Sequence, residues 1–553
     1  MPLKSILNAF CLRSTTPTPT PPEEPAYSEN NQDDTCTRSS RTYADSPQLP
    51  SFSSYRLKSV DEFTTTQEKF MLAYPQYQSS LLDTIRNTEY KRLGKLVYLD
   101  YTGATLYPES LVRQSHDYLN EHVLGNPHST NPPSKLASYH AAAARSALLQ
   151  FVGADPEIYT VVWTANASAA MRIVGEGYEW HPTSRLFLGH DSHNSMNGLR
   201  SFAHRCGAAV DYYSLSPSSD WEKKWSILQR ISDLRPSSTD THPGLFCLTG
   251  QSNVTGLKAP LFLLQHAASQ GFHTLLDAAA LAPTTRVSLS GLELNNSVDA
   301  MTLSIYKIIG FPTGLGALVI KKSFLNKLQK PWFSGGTVDV VQVPGDAFTL
   351  TDGFERHEDG TINFLSMLTI PRSLSLVTTL IPALQPRLAC LTHWSVRALS
   401  EIKHLVTHKH LVHVRSPPPS LPLSAVSQSY GALVAFEVAD ENGTFVSCEA
   451  IEYGAGKAGI CLRAGCMCNP GGTSTIADMT YMMHDLKHGD RKEDLEMRFG
   501  VRSRGVVRAS FGIASNLTDA WIFVSYMRSL SAPGALQSLL DDWEKHVVST
   551  THE

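Results

Sequence analysis

Between about positions 106 and 370 the chain repeats one pattern. A short apolar run without polar interruption is followed by a longer stretch in which apolar side chains return every three or four positions. Runs that lack alternation belong to strands covered on both faces, and the spacing between them is that of amphipathic helices. The pattern predicts strands over 160–163, 185–188, 245–248, 273–276, 300–303 and 316–320. Strand and helix alternating in this order give an α/β fold, a mostly parallel sheet with helices on both sides. Upstream, helical spacing runs from Phe63 to about Glu89, and Leu96-Val-Tyr-Leu-Asp100 reads as a short strand entering a Thr102-Gly-Ala turn.

A second pattern begins near Pro371, with a long helical stretch, a Pro-rich connection over 416–422 and the strand-like Ala432-Leu-Val-Ala-Phe436. The organisation expected is a Ser/Thr/Pro-rich tail over 1–62, a large domain over 63–370, a smaller α+β domain over 371–535 and a C-terminal tail over 536–553. The tail segment Ser14-Thr-Thr-Pro-Thr-Pro-Thr-Pro-Pro22 has too little apolar surface to offset the entropy of ordering it. The charged stretch over 484–498 is read as a solvated loop or helix face.

Composition adds exclusions. The 553 residues carry 47 basic and 51 acidic side chains with no basic block, which argues against nucleic acid or an anionic membrane surface as partner. No uninterrupted apolar run reaches the eighteen or so residues of a membrane span, so none is expected. Nine dispersed cysteines do not make the dense framework of a secreted scaffold, and a reducing compartment, the cytoplasm, is expected. The segment before Ser14 has two basic residues and no acid; it is read as a tail, with a mitochondrial transit peptide as the alternative.

The candidate chemistry collects at strand ends. Lys307 follows an apolar strand and precedes Gly310-Phe-Pro-Thr-Gly-Leu-Gly316, so it is held in a tight turn. Alone, a lysine near a turn is usually just exposed. Asp277 changes that reading, because it ends another buried strand thirty residues upstream and can reach the same end of the sheet. An amine that forms a Schiff base with an aldehyde, and an acid that keeps a pyridine nitrogen protonated, are the two groups pyridoxal 5'-phosphate (PLP) requires. Trp163-Thr-Ala-Asn-Ala-Ser-Ala-Ala170 supplies a strand, a small-residue turn and a helix start suited to a phosphate, with Ser168 as hydroxyl donor. His193 follows the next strand and can stack on the ring; a lone histidine after a strand is more often a surface or satisfied polar residue.

The segment Cys461-Leu-Arg-Ala-Gly-Cys-Met-Cys-Asn-Pro-Gly471 has cysteines too close for the usual zinc spacing, and no second pair accompanies them, so no metal is expected. A glycine-flanked loop with a thiol near Arg463 fits a nucleophile instead. Arg508, on the strand-like Val507-Arg-Ala-Ser-Phe511, suits a grip on a substrate carboxylate, with an ion pair as the alternative.

These residues together resemble the PLP-dependent class V aminotransferase superfamily, within it the cysteine desulfurases, and most the N-terminal desulfurase-like domain of eukaryotic molybdenum cofactor sulfurases. The passages include Tyr98-Leu-Asp-Tyr-Thr-Gly-Ala-Thr105, Gly125-Asn-Pro-His-Ser129, Gln251-Ser-Asn253, Asp277-Ala-Ala-Ala280, Ser304-Ile-Tyr-Lys307, Gly335-Gly-Thr-Val338 and the Cys461 loop. The resemblance implies a fold type I homodimer with a seven-stranded sheet and a PLP site. Lys307 would carry the cofactor, Asp277 would meet its ring nitrogen and His193 its face. Ala167, Ser168, Ser304 and Tyr306 would contact it, as would Thr361 from the partner subunit. It further implies Asn253, Arg508 and Arg463 around L-cysteine, and Cys468 as the thiol that takes the sulfur, with Cys466 as its rival. The sulfur acceptor is left open, a separate molybdenum-cofactor-binding protein being one candidate. Two alternatives stand beside this: another amino acid reaction on the same fold, such as transamination, lyase or carbon bond formation, and a scaffold without activity.

Overall fold

In the computed structural model, which describes residues 60–215, 221–236, 242–491, 494, 497–498 and 505–550, the unalternating apolar runs become one seven-stranded sheet. Its spatial order is Tyr159–Thr164, Gly316–Lys321, Ala300–Ser304, His273–Asp277, Leu245–Thr249, Arg185–Gly189 and Ala209–Tyr213. All neighbours are parallel except Gly316–Lys321, which runs antiparallel to both of its own. Leu245–Thr249 and Ala300–Ser304 are buried along their whole length, as the lack of alternation requires. The strand Ala209–Tyr213 does not stand out in the sequence because it lies at an edge. Its residues are mostly half-exposed, and its Asp211 pairs with Arg185 at 2.9 Å.

Gly316 is the common rung between two strands, opposite Thr164 on one side and Ser304 on the other. A side chain there would collide with the backbone of Asn166, which begins the next helix, so a glycine is needed for close approach. Gly316→Ala is expected to cost about 1–3 kcal/mol by overpacking, read as a lower urea midpoint at unchanged slope.

A second sheet of four antiparallel strands holds Val412–Ser416, Leu433–Val438, Val506–Ser510 and Arg463–Gly465 in that order. The early segment Val97–Tyr98 pairs in parallel with Ile460–Cys461, and Asp100 bridges to Ser510, so residues far apart in sequence meet along this layer. The helix Ile370–Ser400 runs through Pro382 and Pro386 and packs on the helices Pro132–Phe151 and Leu517–Ser529. The stretch Phe364–Ser400, though interrupted by polar residues, is long and apolar enough by length and composition to cross a bilayer, with half of its most apolar window buried in the protein. The reason is packing on several sides, which makes a core helix apolar around most of its circumference. Its Arg387 is 1% exposed, with the guanidinium over the Tyr77 ring at 4.6 Å and bonded to Asp83 at 2.5 Å.

The expected tail after 535 is instead the helix Ala535–Thr550. It lies against the helix Cys448–Lys457, with Tyr453 and Trp543 ring centroids 5.4 Å apart and Lys457 bonded to Asp542 at 2.6 Å. Of the N-terminal tail expected over 1–62, positions 1–59 lie outside the described residues; the helix Val60–Ala73 begins within it.

Candidate active site

The carboxyl ends of the inner strands open into a cavity of about 190 Å³ that gathers Ala167, Ser168, His193, Asn253, Asp277, Ser304, Tyr306 and Lys307. This is where an open parallel sheet takes its ligands. Asp277 is the last residue of its strand and 7% exposed, and it accepts a hydrogen bond from the Ala279 N–H at 3.0 Å. Lys307 lies in a single turn of helix, Ile305–Ile309, rather than a bare turn. Gly310 ends that turn in the left-handed region at φ +79°, and a side chain there would collide with the backbone of Thr105. The Thr105 hydroxyl donates to the Lys307 carbonyl at 2.6 Å, clamping the turn from outside.

Burial pushes the Lys307 amine below the ordinary lysine pKa. Asp277 opposes the shift, Arg508 and Arg463 add to it, and Cys468 opposes it. The neutral fraction therefore rises at lower pH than for a free lysine. The rate at which apoprotein takes up an aldehyde such as PLP should accordingly climb with pH to a midpoint below the ordinary 10.5, followed by absorbance in a pH series.

The opposite wall is a helix start. Asn166, extended at φ −173°, caps the helix Ala167–Gly177 by accepting from the Ala169 N–H at 3.0 Å. The Ala167 N–H donates to the Ser304 hydroxyl at 3.0 Å, and the Ser168 and Ser195 hydroxyls stand 2.5 Å apart. Three hydroxyls at a helix N-terminus make a cup suited to a phosphate. His193 accepts at Nδ1 from the Ser195 N–H at 3.1 Å, so the neutral ring carries its proton on Nε2. Burial and then Lys307 push its pKa down, with Asp277 opposing, which favours that neutral form. Burial raises the pKa of Tyr306, with Arg463 opposing.

Cys466 and Cys468 are exposed on a turn that follows the strand Arg463–Gly465. The Asn469 N–H donates to the Cys466 carbonyl at 2.9 Å, and Met467 and Cys468 both have left-handed backbones at φ +52° and +57°. For residues with a side chain this costs roughly 1–2 kcal/mol each, offset here by bonds from the large sheet's loops. The Asn194 N–H reaches the Cys468 carbonyl at 2.7 Å, and the Asn253 amide reaches that of Met467 at 2.8 Å. Cys468 is among the groups whose charge bears on Lys307.

Two expected site residues are engaged differently from a simple reading. Arg463 does not serve the thiol directly; its Nε and Nη2 hold Asp100 at 3.0 and 2.6 Å. Arg508, 1% exposed, bonds the same carboxylate at 2.6 Å and the Asn253 carbonyl at 2.7 Å, while its Nε is buried without a hydrogen-bond partner. Thr361, expected to act from the partner subunit, lies outside its own chain's cavity, accepting from Asn126 at 3.3 Å. Sequence reasoning missed Ser195, Thr249 and Gln251, which also line the cavity. The Gln251 Oε1 is buried with no partner, so a bound group with a polar edge would fit the space.

The aminotransferase class-V family model matches residues 97–520. The molybdenum cofactor sulfurase of Solanum lycopersicum is 32% identical over 478 residues, covering 81% of this chain and 57% of that protein. That of Bos taurus is 30% identical over 477 residues, covering 82% and 52%. The chain thus spans about half the length of the curated relatives it matches. Among solved structures, the apo cysteine desulfurase from Thermococcus onnurineus NA1 superposes with a TM-score of 0.63 at 19% identity, covering 81% of this chain and 98% of that one. The S-sulfonic acid form of the cysteine desulfurase CsdA from Escherichia coli gives 0.61 at 20% identity, covering 84% and 99%. At these identities the likeness is one of fold.

Proposed function

The chain belongs to the aminotransferase class-V family, and from that premise we propose that it is a PLP-dependent desulfurase that moves sulfur from L-cysteine to its own Cys468, releasing alanine. One observation carries the reading: Lys307 and Asp277 line one cavity, and the cysteine turn is tied to it by the bond from the cavity's Asn253 to the Met467 carbonyl. An amine and an acid in one cavity, with an exposed thiol on the adjoining turn, are what this chemistry needs.

PLP, when bound, supplies an aldehyde for the amine and a ring that accepts the electron pair released at the substrate's α-carbon. Lys307 would hold it, and Asp277 would keep a proton on the ring nitrogen. His193, locked as a neutral ring by Ser195, would cover one face beside Tyr306. The hydroxyls of Ser168, Ser195 and Ser304, with the helix start at Ala167, would take the phosphate. Arg508, beside Asn253 and steadied by Asp100 together with Arg463, would grip the substrate carboxylate through the Nε that has no partner. Lys307 would take the α-proton, and Cys468, as a thiolate whose proton has gone to solvent, would form a sulfur–sulfur bond as the substrate's carbon–sulfur bond breaks, that bond's electron pair staying on the β-carbon. The β-carbon would take a proton from solvent and Lys307 would return the α-proton, so that alanine leaves and the persulfide stays.

The reading includes a homodimer. Support comes from Thr361, outside its own cavity, and from the outward apolar surface of the strand pair Val338–Val341 and Phe348–Leu350, where Val340 and Phe348 are exposed. A reducing, cytoplasmic setting suits the free thiols. The name carried by the relatives extends the reading to molybdenum cofactor as sulfur acceptor, held by a separate protein or by a further region. The test is direct: the purified full chain with PLP, L-cysteine and a reductant should yield equal amounts of alanine and sulfide. Turnover of a different amino acid with cysteine untouched would replace this reading with other chemistry of the family, and a protein that binds no PLP would point to a scaffold.

A further inference from the structure

Asp191 lies two residues before His193 and outside the cavity, yet it joins the two parts of the site. Its Oδ1 accepts from Ser252 Oγ at 2.6 Å and its Oδ2 from Thr255 Oγ1 at 2.7 Å, so two hydroxyls beyond the strand Leu245–Thr249 fix its orientation. The same Oδ1 accepts from the Asn469 side-chain amide at 2.6 Å. Asn469 is fully buried although it follows the exposed Cys468, and its other side-chain atom caps the next helix by accepting from the Gly472 N–H at 3.0 Å. The fit between these segments is flush. A side chain at Gly471 would collide with the His190 carbonyl, and one at Gly472 with the Asp191 carboxylate.

We infer that Asp191, acting through Asn469, is a positioning residue that latches the cysteine turn against the large sheet and so sets where Cys468 stands relative to Lys307. The left-handed pair Met467 and Cys468 is costly alone, and although Met467 packs partly against a buried cluster, both thiols stay exposed. A part-buried charge-assisted bond next to the turn adds to the Asn194 and Asn253 bonds that hold it, and the same Asn469 amide also donates to the Asn253 Oδ1 at 3.0 Å. The kinetic consequence rests on the desulfurase reading, whereas the latch itself rests on geometry alone.

Asn469→Asp tests it, because the change is nearly isosteric and keeps an acceptor for the Gly472 cap while setting a carboxylate against Asp191. In holoprotein without cysteine, peptide mapping should show Cys468 alkylated by iodoacetamide about five-fold faster, with Cys466 and Cys206 changed less than about two-fold. With cysteine, kcat for sulfide, counted per folded and PLP-loaded enzyme, should fall about ten-fold while KM moves less than about two-fold. Combining it with Asp191→Asn restores a donor and an acceptor with the direction reversed, and should recover kcat to within about three-fold of the parent. Unchanged alkylation in Asn469→Asp, or a defect that the combined variant does not relieve, overturns the latch. Should Asn469→Asp not fold, Asn469→Ala carries the same alkylation test. If the parent makes no alanine from cysteine, the desulfurase reading falls while the alkylation arm still decides the latch.

Discussion

Replacing Lys307 with alanine is expected to lower alanine and sulfide formation from cysteine by at least about a thousand-fold, because one amine both anchors the cofactor and moves the proton. No other group stands ready to replace it. Among the cavity-lining residues Lys307 is the only lysine, and its turn is clamped by Thr105 and by the close approach at Gly310. The variant should stay folded, since removing a buried amine relieves a desolvation cost. An unchanged urea midpoint beside a lost reaction is therefore the expected pair of results. A Lys307→Ala protein retaining more than about a tenth of the parent rate would place the amine elsewhere.

Cys468→Ser should cut sulfide release about a hundred-fold, and Cys466→Ser less than about two-fold, because an alcohol at neutral pH is a far poorer nucleophile than a thiol. Both residues are exposed and lie two apart, so their environments differ little in bulk polarity. What separates them is attachment: the Cys468 carbonyl accepts from Asn194, next to the cavity's His193, whereas the Cys466 carbonyl accepts from Asn469 within the turn. Mass measurement of the protein after cysteine treatment, with peptide mapping of the added sulfur, checks the assignment. Sulfur found on the Cys466 peptide of the parent would reverse it.

Much of the fold was legible because inner strands and outer helices differ in hydrophobic period, and strand ends mark where a lysine and an acid can meet. The edge strand Ala209–Tyr213 escaped notice because only part of it is buried. The terminal helix Ala535–Thr550 escaped for a different reason. Leu536, Leu539, Leu540 and Trp543 do return at helical spacing, but the charged residues around them read as a solvated tail. In the site, Asp277 and Lys307 announce themselves by position. Asp191, Ser195 and Gln251 do not, since short polar residues after strands usually just shape turns. The partner of Asp191 lies 278 positions away, and Asp100 collects arginines 363 and 408 positions away, pairings that no local pattern encodes.

The antiparallel strand carries a last implication through its rung at Gly316. Thr164 and Ser304 face it from opposite sides, and three residues beyond each lie Ala167 and Lys307. The gap between the amine and the helix start is thus gauged by a single crosswise row, like jaws bolted to one bar. Evolution or engineering can therefore reshape the far rim of the sheet, around Ala209–Tyr213, without resetting that gauge.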